Sequence, residues 1–374
     1  MSWARFVAIL LKELRQVRRD RLTFGMMVGV PILQLVLFGY ALNADPRQLP
    51  LAVVSADASE FSRAFVAGLQ NSGYFRVVHG AATEAEADAL LARGEVQFAL
   101  VMPADFGRRL QRGERPVLLL AADATDPAAT GNALAAVQGV ARQAIGRELT
   151  GPLAALRPGD DPFELRVQRR YNPEAQTSFN VVPGLVGVIL TMTMVMMTAL
   201  AMTRERERGT MEALLATPAL PIEVMLGKIV PYILIGYVQV AVILAAARLL
   251  FDVPLEGSLL LLSVVLVVFI AANLAVGFTF STIARNQLQA MQLTFFFFLP
   301  SMLLTGFMFP FRGMPAWAQW IGEALPLTHF LRIVRGIMLK GNGLALIAPE
   351  VWPIALFMLV AGTVALLRYR QTVE

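Results

Sequence analysis

The sequence predicts a membrane α-helical protein with six transmembrane helices, an N-terminal amphipathic helix and an α/β extracytoplasmic domain between the first and second spans. Three observations predict it. The 374 residues are 56% hydrophobic and only 16% charged, against about 25% charged in an ordinary soluble domain. Six stretches approach or meet the roughly 20 apolar residues that a spanning helix needs. Between the first two, a long polar insert alternates strand-like and helix-like segments.

The expected spans are residues 23–42, 179–202, 227–250, 258–284, 288–309 and 351–367. Pro183, Pro231 and Pro300 fall inside the second, third and fifth. They predict kinks, because neighbouring helices can satisfy the freed carbonyls. The last stretch is short but sufficient for a helix with little tilt.

Basic residues set the orientation. Arg5, Lys12, Arg15, Arg18, Arg19 and Arg21 precede the first span. Arg204, Arg206 and Arg208 follow the second, Arg285 the fourth, and Arg368 and Arg370 the sixth. An even number of crossings then puts both termini in the cytoplasm. The connection 310–350 conflicts with this scheme, since it carries Arg312, Arg332, Arg335 and Lys340 yet falls outside by parity.

Residues 1–22 read as a cytoplasmic amphipathic interface helix. Trp3, Phe6, Val7, Leu10, Leu11, Leu14 and Val17 form one stripe, with Lys12, Arg15, Arg18 and Arg19 off it. That pattern suits a helix lying in the membrane interface, or one packed on a soluble partner. The first span reads as an uncleaved anchor. Its apolar run is longer than a signal peptide's, and Leu42-Asn43-Ala44 is a poor cleavage site.

The insert 43–178 reads as an α/β domain outside the membrane. Strands are expected at 49–55, 74–78, 96–102 and 116–122, and helices at 59–70, 83–92 and 127–149. This rhythm implies a largely parallel sheet. His79, Asp105, Asp123 and Asp126 are scattered through it and read as surface residues and helix caps.

Several function classes are excluded by composition. With no cysteines and two histidines, thiolate chemistry, disulfides and a histidine-rich metal centre have no ligands. The +5 charge is dispersed beside apolar segments, which gives no reason to expect a nucleic-acid partner. An intramembrane protease would need a His-Glu-x-x-His or a serine dyad, and His79 and His329 are isolated. A phosphate-binding loop requires Gly-x-x-x-x-Gly-Lys-[Ser/Thr], but the sole Gly-Lys pair, Gly227-Lys228, precedes Ile229 and opens a span.

The most informative segment follows the second span, within residues 203–221. It reads Arg204-Glu205-Arg206-Glu207-Arg208-Gly209-Thr210-Met211-Glu212-Ala213-Leu214-Leu215-Ala216-Thr217-Pro218. Gly209 can interrupt the emerging helix. Thr210 suits an N-cap, with Glu212 in the first turn. Met211, Leu214 and Leu215 make a small apolar face, and Pro218 ends the helix. The product is a short rigid helix at the cytoplasmic mouth, suited to pass force from a soluble partner to the spans. A charged loop obeying the positive-inside rule has the same composition.

Glu-x-Gly-Thr-x-Glu-x-Leu-Leu-x-Thr-Pro, followed by Glu223 and Gly227-Lys228, resembles the signature of ABC-2 type transporter permeases. Pro326-Leu327-Thr328-His329-Phe330, running on to Arg335-Gly336, is similar to the family's stretch before its last span. The resemblance covers the whole chain, and the large insert is most similar to that of drug-efflux permeases of Gram-negative inner membranes. It implies a coupling helix that docks on a separate ABC ATPase, using Glu205, Glu207, Gly209, Thr210, Glu212, Leu214, Leu215, Thr217 and Pro218. It further implies no cofactor on this chain, with ATP and Mg on the partner subunit. A second permease copy or homologue, membrane lipid and a periplasmic adaptor are the other partners it suggests. The expected activity is export of amphipathic or hydrophobic small molecules across the inner membrane. The alternatives are a lipid-linked polysaccharide or glycolipid export permease, and a non-transporting subunit that transmits ATPase motion to the external domain.

Ionisable residues deep in spans mark ion pathways, and the spans hold almost none, which favours amphipathic or hydrophobic cargo over an ion conduit. Gln239, Asn273, Gln292 and Thr305 are the pathway-lining candidates, with interhelical hydrogen bonding as the alternative role. The run Phe295 to Phe298 faces either substrate or lipid.

Overall fold

The computed structural model describes Ile32, Leu37 and residues 46–148, 163–208 and 221–371. The amphipathic leader, nearly all of the first span, and Gly209, Thr210, Glu212, Leu214, Leu215, Thr217 and Pro218 lie outside the described residues.

A five-stranded sheet forms the core of the α/β domain. Its elements run β1 (Leu49–Ser55), α1 (Glu60–Asn71), β2 (Phe75–Gly80), α2 (Glu84–Arg93), β3 (Phe98–Met102), α3 (Phe106–Gln111), β4 (Val117–Asp123), α4 (Pro127–Glu148) and β5 (Glu164–Arg170). The strand order is β2-β1-β3-β4-β5. All neighbours are parallel except β3 and β4. The interior strand β1 reads as a nearly unbroken apolar run, as a strand covered on both faces must. Edge strand β5 is mostly exposed and carries three arginines, which blunts its free edge against pairing with other chains.

Local sequence explains the helices. Ser59 and Thr83 cap α1 and α2 by accepting from the backbone N–H of Ser62 and Glu86. Gly94, at φ +74°, terminates α2 in the left-handed conformation that glycine adopts without strain. Phe65, Phe75, Phe98, Phe106 and Phe163 fill the space between the sheet and its helices, with edge-to-face ring contacts.

The remaining chain is helical: α5 (Thr177–Glu207), α6 (Pro221–Phe251), α7 (Leu259–Ile283), α8 (Gln287–Leu303), α9 (Ala316–Glu323), α10 (Pro326–Lys340) and α11 (Leu344–Gln371). Among the described residues, four helices are long and apolar enough to cross a membrane: α5, α6 over Val230–Phe251, α7, and α11 over Leu344–Arg368. Helices α5 and α7 form the centre, whereas α6 and α11 leave most of their apolar surface uncovered. Their exposed Val238, Val242, Leu359 and Val360 suit contact with lipid or another protein.

Close approach of α5 and α7 depends on Gly277. A Cβ there would stand 2.6 Å from the Val195 carbonyl oxygen, nearer than any packed side chain tolerates.

The fifth expected span differs from its forecast. Helix α8 stops at Leu303 after 17 residues, about 25 Å at 1.5 Å per residue, and residues 304–309 form bends. Gly306 turns the chain at φ +83°. The apolar residues beyond the helix end are explained by packing: Leu303 and Leu304 cluster with Leu37, Met314 and Ala318. Helix α10, within the awkward basic connection, buries Leu327, Phe330, Leu331, Val334 and Ile337 in the same core as α5 and α7. Phe330 stacks on Phe269 with ring centroids 4.1 Å apart.

Candidate functional site

Two regions of the bundle carry polar structure. The first is the end of α5, where Glu205 and Glu207 occupy the final turn before the signature segment. Glu207 accepts from the backbone N–H of Gln287 at 2.8 Å and from its side-chain Nε2 at 2.6 Å. Arg206 donates to the Ala284 carbonyl at 3.2 Å. The last turn of α5 is thereby tied to the α7–α8 corner, so displacement of residue 207 acts on three helices. Of the proposed coupling residues, this places only the two glutamates.

The four pathway candidates separate. Gln239 Oε1 accepts from Thr193 Oγ1 at 3.0 Å, joining α6 to α5, which is the interhelical role. Asn273 is fully buried; its Nδ2 donates to the Phe269 carbonyl in its own helix, and its Oδ1 has no partner among the described residues. The Oε1 of Gln292 is likewise buried without a partner among the described residues. Thr305 is buried beside the bend, donates to the Ser301 carbonyl and lines a cavity. Phe297, from the phenylalanine run, joins Val276, Phe280 and Phe357 around a separate apolar cleft of about 270 Å³ between α7, α8 and α11. Phe295 and Phe296 are exposed.

The second region is the junction between the α/β domain and α9, α10 and α11. It surrounds a cavity of about 450 Å³. Lys340 Nζ donates to Asp123 Oδ2 at 2.6 Å and to the Leu91 carbonyl at 3.0 Å. Asp123 Oδ1 accepts from the N–H and hydroxyl of Thr125. Asn342 donates to the Ala92 carbonyl and Arg312 to the Gly94 carbonyl. On the bundle side, Arg332 binds Glu323 and Glu350 and lies over the Phe311 ring. His329 bonds Glu350 through Nδ1 and the Glu323 carbonyl through Nε2.

Burial acts against the charged form of His329, but its bonds to Glu350 and to the Glu323 carbonyl win and raise its pKa. Burial also raises the carboxyl of Asp126 against the opposing pull of Arg335. Asp126 Oδ1 accepts from Asn180 Nδ2 at 3.3 Å, a further link from the domain to α5.

This junction corrects the reading of Asp123 as a solvated surface residue: it is 8% exposed. The four bases of the 310–350 connection, which the orientation rule left unexplained, are held by acids and carbonyls of the protein. That surplus of bases was the sequence signal for the junction. Among the described residues there is no group of His, Cys, Asp and Glu able to hold a metal ion.

A family model described as "ABC-2 family transporter protein" matches residues 21–367. The chain belongs to the ABC-2 transporter family. It is 30% identical over 371 residues to an Escherichia coli K12 protein described as "Probable multidrug ABC transporter permease YbhS", covering 97% of this chain and 95% of that one. The E. coli protein described as "Probable multidrug ABC transporter permease YbhR" is 26% identical over 369 residues, covering 99% of both. A third relative, the E. coli "Inner membrane transport permease YhhJ", is 30% identical, covering 97% of this chain and 96% of that one. This ABC-2 protein is therefore the permease component of an ABC transporter and a multi-pass membrane protein.

Proposed function

We propose that this ABC-2 permease is half of the membrane pathway of an ATP-driven exporter of amphipathic or hydrophobic small molecules. Six spans, with both termini in the cytoplasm and the α/β domain in the periplasm, complete the topology. A separate ATPase binds ATP and Mg, and nucleotide binding closes its two copies against the segment 210–217 of each permease. The energy for switching comes from differential nucleotide affinity for the two conformations, as every such shift requires. The clamp of Glu207 on Gln287 supports this reading most directly, because it joins the start of the signature segment to the α7–α8 corner.

Cargo of this class agrees with the scarcity of ionisable residues in the four spanning windows and with the names of YbhS and YbhR. The large external domain weighs against a polysaccharide or glycolipid exporter. The test is co-reconstitution with the cognate ATPase in proteoliposomes. Wild type is expected to move a hydrophobic cationic dye on ATP addition and to stimulate ATPase activity. Glu212→Lys is expected to abolish both while the subunits still assemble on a pull-down. Full stimulation in that variant would overturn the coupling role, and an ATPase-stimulating permease that moves no dye or lipid would point to a mechanotransmission subunit.

A further inference from the structure

The bases and acids that line the junction cavity are unevenly paired. Lys340 is matched by Asp123, and Arg332 by Glu323 and Glu350. Arg312 and Arg335 line the same cavity and are bonded only to backbone. Arg312 Nη2 donates to the Gly94 carbonyl at 2.8 Å. Both terminal nitrogens of Arg335 donate to the Gly306 carbonyl, at 3.2 and 3.3 Å. The Nε–H of Arg335 is buried with no acceptor among the described residues. Neither guanidinium has a carboxylate within 4.0 Å among the described residues, although each of the other three bases on the wall, Arg93, Arg332 and Lys340, does. The one further acid on the wall, Asp126, makes no salt bridge with either arginine among the described residues; burial raises its pKa against the opposing pull of Arg335.

A buried cation without a counter-charge is costly, and a guanidinium fork matches a carboxylate or phosphate. The depth of the cavity narrows the ligand. Trp317, Trp320 and Trp352 are 38%, 77% and 62% exposed. They stand on α9 and α11, the helices that send Gln319, Glu323 and Glu350 into the cavity wall. Exposed tryptophans near the ends of apolar helices are enriched in the head-group zone of a bilayer. We propose that the junction cavity is a binding site for an anionic head group, phosphate or carboxylate, held by the guanidinium groups of Arg312 and Arg335. This inference rests on neither the coupling role nor the export reading. An occupant there would bridge the α/β domain to α10 and so add to the Asp123–Lys340 contact.

The test uses the purified, delipidated chain in nanodiscs of phosphatidylcholine alone or with phosphatidylglycerol, read by native mass spectrometry. One phosphatidylglycerol retained per chain in preference to phosphatidylcholine is expected. Arg312→Gln with Arg335→Gln is expected to cut that retention tenfold or more, while Arg112→Gln, exposed and outside the cavity lining, leaves it unchanged. A second measurement needs no variant: phenylglyoxal labelling of wild type, mapped by peptide mass, should spare Arg312 and Arg335 only when the anion is present. Protection by inorganic phosphate equal to that by phosphatidylglycerol would support the site and identify a free anion as its occupant; protection by the lipid alone would identify a lipid head group. Equal retention of the two lipids, with both arginines labelled under every condition, would overturn the proposal.

Discussion

Lys340 and Asp123 meet at 2.6 Å across 217 positions of sequence, with side chains only 8% and 9% exposed. The contact joins the last residue of β4 to the last residue of α10 and fixes the α/β domain on the helical bundle. Removing one member of such a pair leaves the other charged and buried, at a cost of about 3–5 kcal/mol. Lys340→Met is expected to lower the thermal stability accordingly and to expose the domain to protease. Adding Asp123→Asn, which keeps an acceptor for Thr125, should recover part of the loss. A double variant no better than the single would assign the effect to packing of the lysine stem.

The histidine of α10 predicts a pH dependence. Both ring nitrogens of His329 face acceptors, Glu350 and the Glu323 carbonyl, so the geometry favours the imidazolium. Its folded pKa is raised. Its contribution to stability is therefore complete below the ordinary histidine pKa and is lost as pH rises through the folded value. Thermal unfolding in detergent should show stability declining towards alkaline pH, and His329→Gln should flatten that decline.

Glu207 and Gln287 predict a coupling defect without a folding defect. The pair is exposed, so breaking it should leave expression and monodispersity unchanged. Gln287→Leu is expected to lower ATPase stimulation several-fold in the reconstituted complex, since α5 then moves independently of the α7–α8 corner. Unaltered stimulation would show that force reaches α8 by another contact.

Asn273 and Gln239 predict opposite outcomes. Gln239→Leu removes an interhelical bond to Thr193 and should cost about 1 kcal/mol of stability, with dye transport retained. Asn273→Leu removes a buried carbonyl oxygen that has no partner among the described residues, so stability should change by less than about 1 kcal/mol. Transport is the property it should lose. Loss of stability with transport intact would make Asn273 a packing residue.

The α5–α7 contact predicts a steric limit. Gly277→Leu would force a side chain against the Val195 carbonyl and should destabilise by about 1–3 kcal/mol, measured by thermal unfolding. Gly362→Leu, inside α11 where an added Cβ would meet nothing within 4 Å, is the matched control and should not destabilise.

Much of the α/β domain was legible because its elements carry local signals. Strand β1 occupies the expected residues 49–55, since a continuous apolar run between polar turns has few other solutions. Helix α3 was missed because its six residues span fewer than two turns and show no period. Strand β5 was missed because its arginines outweigh the alternation of Leu165 and Val167. The end of α8 was misjudged because hydropathy does not distinguish lipid contact from the packing of Leu304 on Leu37 and Met314.

The junction was not legible for a different reason. Asp123 and Lys340 each look like ordinary surface charges in their own neighbourhoods, and only the fold brings them together. The anomaly of four bases in a loop placed outside by parity was visible, but its resolution depends on carbonyls at Leu91, Ala92 and Gly94, which sequence does not advertise.

That same contact has a consequence for biogenesis. The segment carrying Asp123 leaves the ribosome more than two hundred residues before Lys340. On the sidedness proposed here, a folded periplasmic receptor is in place before the basic connection carrying α9 and α10 is translocated, and it rewards that connection for crossing against the usual charge bias. The final helix would then owe its direction to an earlier domain acting as an internal topogenic guide.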